Sequence, residues 1–259
     1  KLIILIFFDS FFHYKLSMKN SIDIFSKKLS SLLKKISKNE RNKIKLIASK
    51  LSNNYINGGI LYIFGTGHNH CIAEECLHRA GAFAGVIPIL DKRIDFSYGI
   101  KKSSENERNP KLAENILKKY NFTKNDSIII CSTSGINQLS IEIAKIMKNK
   151  KIYVIGITSK TYSDKLKKNN KSKLYFYNDI YINNYSPVGD TLINYKDLGI
   201  TSSSTIAGIF ILNSLWIEMS LKLKKQNPFP FYKSSNLPNS KKHNKILEKK
   251  FNFINSRLK

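Results

Sequence analysis

The stretch Gly59-Ile-Leu-Tyr-Ile-Phe-Gly-Thr-Gly-His-Asn-His70 sets an unbroken apolar run, Ile60–Phe64, between glycines, and follows it with a polar turn. A short run without polar alternation reads as a strand covered on both faces. The same grammar returns in Ser127-Ile-Ile-Ile-Cys-Ser-Thr-Ser-Gly-Ile-Asn137, where Ser127–Cys131 is the strand. Ile152–Ile157 is a third such run, and 86–90, 174–176 and 180–182 are weaker ones. Helical spacing of apolar residues fills 70–82, 111–120 and 138–148 between them. Strands alternating with helices predict a three-layer α/β/α sandwich around a mainly parallel, doubly wound sheet.

Outward from this centre the pattern turns helical. Ile22, Phe25, Leu29, Leu32, Leu33 and Ile36 recur at three- and four-residue steps, and 44–55 forms a second stretch ended by Asn57-Gly58-Gly59. The run 205–223 is apolar almost all round, but Asn213, Ser214 and Glu218 interrupt it, so it reads as a core helix. Residues 226–259 read as a helical tail packed back on the domain. The opening run Leu2–Phe8 is far short of the ~20 residues a membrane span needs. Residues 1–17 are expected to be a non-structural extension or a targeting segment, and 18–259 a single domain.

The 259 residues carry 44 Lys+Arg against 18 Asp+Glu, a formal charge of +26. Nucleic acid is the obvious partner for such a balance. Yet only five of the basic residues are Arg, the side chain that forks onto phosphates and base edges. The excess also sits in three stretches, 15–50, 145–173 and 222–259, which together hold +28. The segments 51–144 and 174–221 hold +1 and −3. A solvated Lys-rich surface is therefore the expectation, with no nucleic acid and no membrane partner. Three cysteines without a CxxC pair exclude a disulfide scaffold and fit a reducing, cytoplasmic setting.

Chemistry in parallel sheets collects beyond the carboxyl ends of strands. The first polar loop is Gly65, Thr66, Gly67, His68 and Asn69, with Asn69 placed to cap the next helix. It is not a dinucleotide fingerprint, because His70 stands at the third glycine position, and no Gly-Lys-Ser/Thr follows to make a P-loop. The second loop, Ser132, Thr133, Ser134, Gly135, Ile136 and Asn137, surrounds a helix start with hydroxyls and an amide. Backbone N–H groups and the helix dipole favour an anion there, although helix capping alone would use the same residues.

These loops, their order and their spacing resemble the sugar isomerase (SIS) domain. Phe64-Gly-Thr-Gly-His-Asn-His70, Ala73-Glu-Glu75, Arg79-Ala-Gly81, Pro88-Ile-Leu90, Pro187-Val-Gly-Asp190, Thr201-Ser-Ser-Ser-Thr-Ile-Ala-Gly208 and His243-Asn244 are similar to an uncharacterised, stand-alone bacterial SIS-domain family. The resemblance covers about residues 20 to 255. It implies binding of a small-molecule sugar phosphate, with Ser132, Thr133, Ser134 and Asn137 as phosphate ligands. Asn69 stands where that family usually has Ser. The resemblance also implies a homodimer, and phosphosugar isomerisation or cleavage of a sugar ether.

Both reactions remove a proton beside a carbonyl and need a positioned base. Glu74 and Glu75, one turn past the first loop, are candidates; the alternative is simple pairing with His78 or Arg79 at i+4. His243 is a third candidate, reaching a pocket from a partner subunit, against a merely exposed tail histidine. Ser203 and Ser204 lie among four hydroxyls before the core helix, more than capping needs, and are expected to line the same pocket. Asp190 reads as a turn residue. His68, His70, Cys71, Cys76 and His78 do not converge by spacing on one metal, so no metal or cofactor is expected. Cys131, at the end of a buried strand, reads as packing rather than as a nucleophile. A non-catalytic phosphosugar sensor is the alternative function, but no DNA-binding helical module is appended. A Lys-rich nucleic-acid binder is the third reading.

Overall fold

The computed structural model of the protein describes residues 20–251 apart from residue 196; the expected extension at 1–17 lies outside them. The chain opens with helices α1 (Ser21–Asn39) and α2 (Arg41–Ile56). Then come β1 (Leu61–Gly65), α3 (His70–Glu75), β2 (Val86–Ile89), α4 (Ile100–Asn106) and α5 (Leu112–Leu117). The second half holds β3 (Ser127–Cys131), α6 (Gln138–Asn149), β4 (Tyr153–Thr158), α7 (Lys160–Leu166) and β5 (Ile180–Asn183). A hairpin of β6 (Thr191–Tyr195) and β7 (Leu198–Ser202) leads into α8 (Ser204–Leu223), and α9 (Ser240–Lys250) closes the described chain.

Five strands form one parallel sheet in the order β2-β1-β3-β4-β5. The apolar runs sort by parity, because successive side chains leave a strand on opposite faces. Tyr62, Phe64, Ile128, Ile130 and Val154 pack under α5 and α6. Leu61, Ile63, Ile129, Ile155 and Ile157 pack against α1, α2, α8 and α9. Each such side chain, moved fully out of water, contributes roughly 1.5–3 kcal/mol. Helix α8 is long and apolar enough to cross a membrane by composition, but here it is a core helix: Ala207, Ile211, Leu215 and Met219 are wholly buried.

Two local expectations differ from the structure, and one element was not expected. Residues 174–176 form a single 3-10 turn rather than a strand, because 180–183 takes the edge beside β4. The helix expected over 70–82 stops at Glu75, where His78 (φ 44°) and Gly81 (φ 80°) turn the chain. The β6–β7 hairpin had no clear sequence signal, since β6 is only half-buried and β7 is exposed.

Candidate functional site

Strand order reverses between β1 and β3, and their carboxyl ends lie side by side with Gly65 opposite Cys131. A doubly wound sheet opens a crevice at such a switch point. Both polar loops leave the sheet there. The first turns at once: Gly65 sits so close to Asn69 that a Cβ on it would lie 2.3 Å from the Asn69 carbonyl oxygen. Asn69 is itself helical (φ −70°, ψ −13°) and makes no cap. Its Oδ1 accepts instead from Thr133 Oγ1 at 3.3 Å, which ties the first loop to the second.

The second loop is held from behind. Ser159 N–H donates to the Thr133 carbonyl (2.9 Å), Ser163 Oγ–H to that of Ser134 (2.7 Å), and Leu174 N–H to that of Gly135 (2.7 Å). In a trans peptide the N–H points opposite to the C=O. The amides of Ser134, Gly135 and Ile136 are therefore turned away from the α7 side of the loop. Gly135 adopts φ 64°, a left-handed turn of the kind from which anion-binding backbone nests are built.

One cavity of about 330 Å³ lies between the loops. Thr66, Gly67, His68 and Asn69 line it from one side, and Ser132, Thr133, Ser134 and Asn137 from the other. Gly65 and Gly135 shape those loops without lining it. Phe96 and one face of α4, with Ile100, Ser103, Ser104 and then Glu107, form a third wall, and Tyr162, Asp190 and Ser204 complete it. No Lys or Arg is among the lining residues.

Two carboxylates reach the cavity, and their positions differ in kind. Asp190 belongs to the turn 187–190 (φ 63°), as its sequence context implies. It also accepts from both the N–H and the hydroxyl of Ser203 and of Ser204, at 2.5–3.2 Å. It thus fills the N-terminus of α8, and the hydroxyls of Ser203 and Ser204 are directed to it. Ser204 lines the cavity and Ser203 does not.

Glu107 is less occupied: the exposed Arg108 guanidinium lies 3.8 Å from its Oε1. Its Oε2 accepts one bond from Thr66 Oγ1 at 3.2 Å, and its backbone carbonyl accepts from Leu139 N–H in the first turn of α6. Burial pushes its carboxyl above the usual range, against the opposing pull of Arg108, Thr66 and His68. Ser103, one helical turn before it, is buried with a hydroxyl that meets no partner in the protein. Sequence reading missed both residues. Their i, i+4 spacing was visible, but nothing in 100–110 says which face of so short a helix meets the loops.

The three candidate bases lie elsewhere. Glu75 pairs with Arg79, and Glu74 Oε1 lies 3.5 Å from His70 Nδ1 on a half-exposed surface. His243 Nε2 donates to the Phe231 carbonyl at 2.9 Å, while Asn244 bonds both backbone groups of Lys233, so the tail pair fastens 230–233 beside 81–84. None of the three lines the cavity. Among the described residues no three His, Cys, Asp or Glu side chains group as metal ligands. His68 lies edge-on to Phe96, and His78 pairs with Glu248. Cys76 and Cys131 are buried thiols; burial pushes Cys76 up to about 12 and Cys131 higher still.

A family model described as the SIS domain matches residues 24–159. A UPF0309 protein of Halalkalibacterium halodurans is 33% identical over 236 residues, 89% of this chain and 94% of its own. Among solved structures, a phosphoheptose isomerase from Neisseria gonorrhoeae aligns with TM-score 0.51 at 14% identity, over 78% of this chain and 98% of that one. A candidate phosphosugar isomerase involved in capsule formation, from Bacteroides fragilis, aligns with TM-score 0.53 at 16% identity, over 82% and 94%. At such identities the two structures share the fold.

Proposed function

We propose, from the premise that this chain belongs to the SIS domain family and its UPF0309 members, that it binds a phosphorylated sugar at the β1–β3 switch point and abstracts a proton from it through Glu107, as an isomerase or lyase. One observation carries this reading: the cavity lining combines neutral hydroxyl and N–H donors with a carboxylate whose pKa is raised by burial. Ser132, Thr133, Ser134 and the start of α6 offer hydroxyls and N–H donors without fixed charge, which suits a phosphate. The other long helix that starts at the cavity, α8, already holds the Asp190 carboxylate. That favours α6 as the anion end. On the α4 wall Glu107 adds a carboxylate, with the buried, unpartnered hydroxyl of Ser103 one turn before it. A sugar phosphate asks for both: donors for its dianion and a base for its hydroxylated carbonyl carbon chain. Neighbours of the same fold described as a phosphoheptose isomerase and a candidate phosphosugar isomerase support the substrate class.

A carboxylate whose pKa is raised by burial is a stronger base when ionised, and nearer to working pH, than an exposed one. Glu107 would take the proton from the carbon beside the carbonyl, leaving an enediolate. In isomerisation the proton returns to the neighbouring carbon while a hydroxyl proton passes between the two oxygens; in ether cleavage the C–O bond at the adjacent carbon breaks and the departing oxygen takes up the proton, leaving as an alcohol. The test has two stages. A thermal-shift screen of pentose, hexose, heptose and amino-sugar phosphates should find a stabilising ligand, and Ser132→Ala and Ser134→Ala should weaken its effect. Deuterium exchange at C2 of that ligand should then be lost in Glu107→Gln and retained in Glu75→Gln. No stabilising sugar phosphate refutes the binding claim. Binding without exchange in the wild type reduces the protein to a sensor.

A further inference from the structure

Lysine is almost never fully buried unless paired, yet the Lys173 side chain is only 4% exposed, one layer behind the second loop. We propose that Lys173 is the positioning residue of the Ser132–Asn137 loop: with Asp164 it locks residues 159–174 onto three successive loop carbonyls. This rests on the reading of that loop as a phosphate site.

The geometry is specific. Lys173 Nζ donates to Asp164 Oδ1 (2.7 Å), to Asn170 Oδ1 (3.2 Å) and to the Tyr175 hydroxyl (3.1 Å), which spends its three protons. Tyr175 O–H donates in turn to Asp164 Oδ1, and Lys160 holds Oδ2. Asp164 is thereby gripped by three donors, and the Lys160–Asp164–Lys173 group keeps a net charge of +1. The next residue, Leu174, gives its N–H to the Gly135 carbonyl at 2.7 Å. Ser163, beside Asp164, gives its hydroxyl to the Ser134 carbonyl. Both bonds start one residue from a member of the ion pair. Fixing the pair fixes these donors, and the donors set which way the loop amides face.

Stability alone is a poor reason for such a cluster: Asp164 is 35% exposed, so its pairing gains little, while burying the Lys173 charge costs desolvation that an apolar side chain avoids. That gives the test its form. Binding of inorganic phosphate would be measured by calorimetry, and amide exchange of Ser159 and Leu174 by NMR, in the wild type, Lys173→Met, Lys173→Arg and the double variant Lys173→Met/Asp164→Leu. Lys173→Met should weaken phosphate about tenfold and speed both amides, and Lys173→Arg should recover most of the affinity. The double variant should fold as stably as the wild type and still bind phosphate weakly. A folded Lys173→Met that binds phosphate like the wild type overturns the proposal, as does unchanged exchange of the two amides. If Lys173→Met fails to fold, Tyr175→Phe removes one donor to Asp164 and must move both readouts in the same direction. Failure of the wild type to bind phosphate at all refutes the phosphate reading, while the exchange data still judge the lock.

Discussion

Replacing Gly135 by Ala tests the second loop at its tightest point. Gly135 has φ 64°, where an L-residue's Cβ crowds its own carbonyl at a cost of roughly 1–2 kcal/mol. The added methyl would also lie 2.5 Å from Ser163 Oγ and 2.6 Å from Thr158 Oγ1, both on buried residues. Relieving contacts that close in a packed interior costs about 1–3 kcal/mol. The sum, about 2–5 kcal/mol, corresponds to a fall in Tm of roughly 5–15 °C for a chain of this size. Gly58→Ala separates the two parts: Gly58 has φ 79° but nothing within 4 Å of where a Cβ would stand, so only the backbone cost of about 1–2 kcal/mol applies. Differential scanning calorimetry of both variants gives the difference, which is the steric part alone. There is also a functional consequence. The Ser163 hydroxyl that must move is the donor to the Ser134 carbonyl, so Gly135→Ala should lose stabilisation by sugar phosphate while Gly58→Ala keeps it. Equal Tm losses in the two variants, or intact ligand binding in Gly135→Ala, would refute the reasoning.

Glu107 carries a pH signature. Its folded pKa lies above the ordinary 4.5, so its stabilising contribution is full below that value and is lost as pH rises through the raised one. Glu107→Gln should therefore melt higher than the wild type at neutral pH, with the gap closing in acid; parallel Tm curves from pH 4 to 8 would contradict this. Asp190→Ala removes four accepted bonds at the start of α8 and should cost about 1–2 kcal/mol, seen as a lower midpoint in urea, with Asp190→Asn recovering part of it. Of the three cysteines, Cys71 alone is exposed, so a thiol reagent should modify one group in the native protein and three after denaturation. Rapid reaction of a second thiol would show that the burial of Cys76 or Cys131 is wrong.

What the sequence determined by itself was the sheet and the loops that frame the candidate site. Apolar runs such as Ile60–Phe64 and Ser127–Cys131 are local signals, because a strand buried on both faces needs only its own residues to declare it. The loops after them are equally local, since a turn at Gly65 and hydroxyls before a helix are written in adjacent positions. The Lys-rich stretches were legible too: they give the cavity wall only Tyr162, and the wall holds no Lys or Arg. The tertiary structure alone decided which side chains meet across the site. Glu107 reaches Thr66 over a separation of 41 residues, and Thr133 reaches Asn69 over 64. Asp190 looked like a turn residue and is one, but its bonds to Ser203 and Ser204 depend on a hairpin with no apolar pattern to announce it. Glu74 and Glu75 had the right distance along the chain from the first loop, yet the six-residue helix α3 directs them to His70 and Arg79. Spacing sets the face of a helix; only packing sets where that face points.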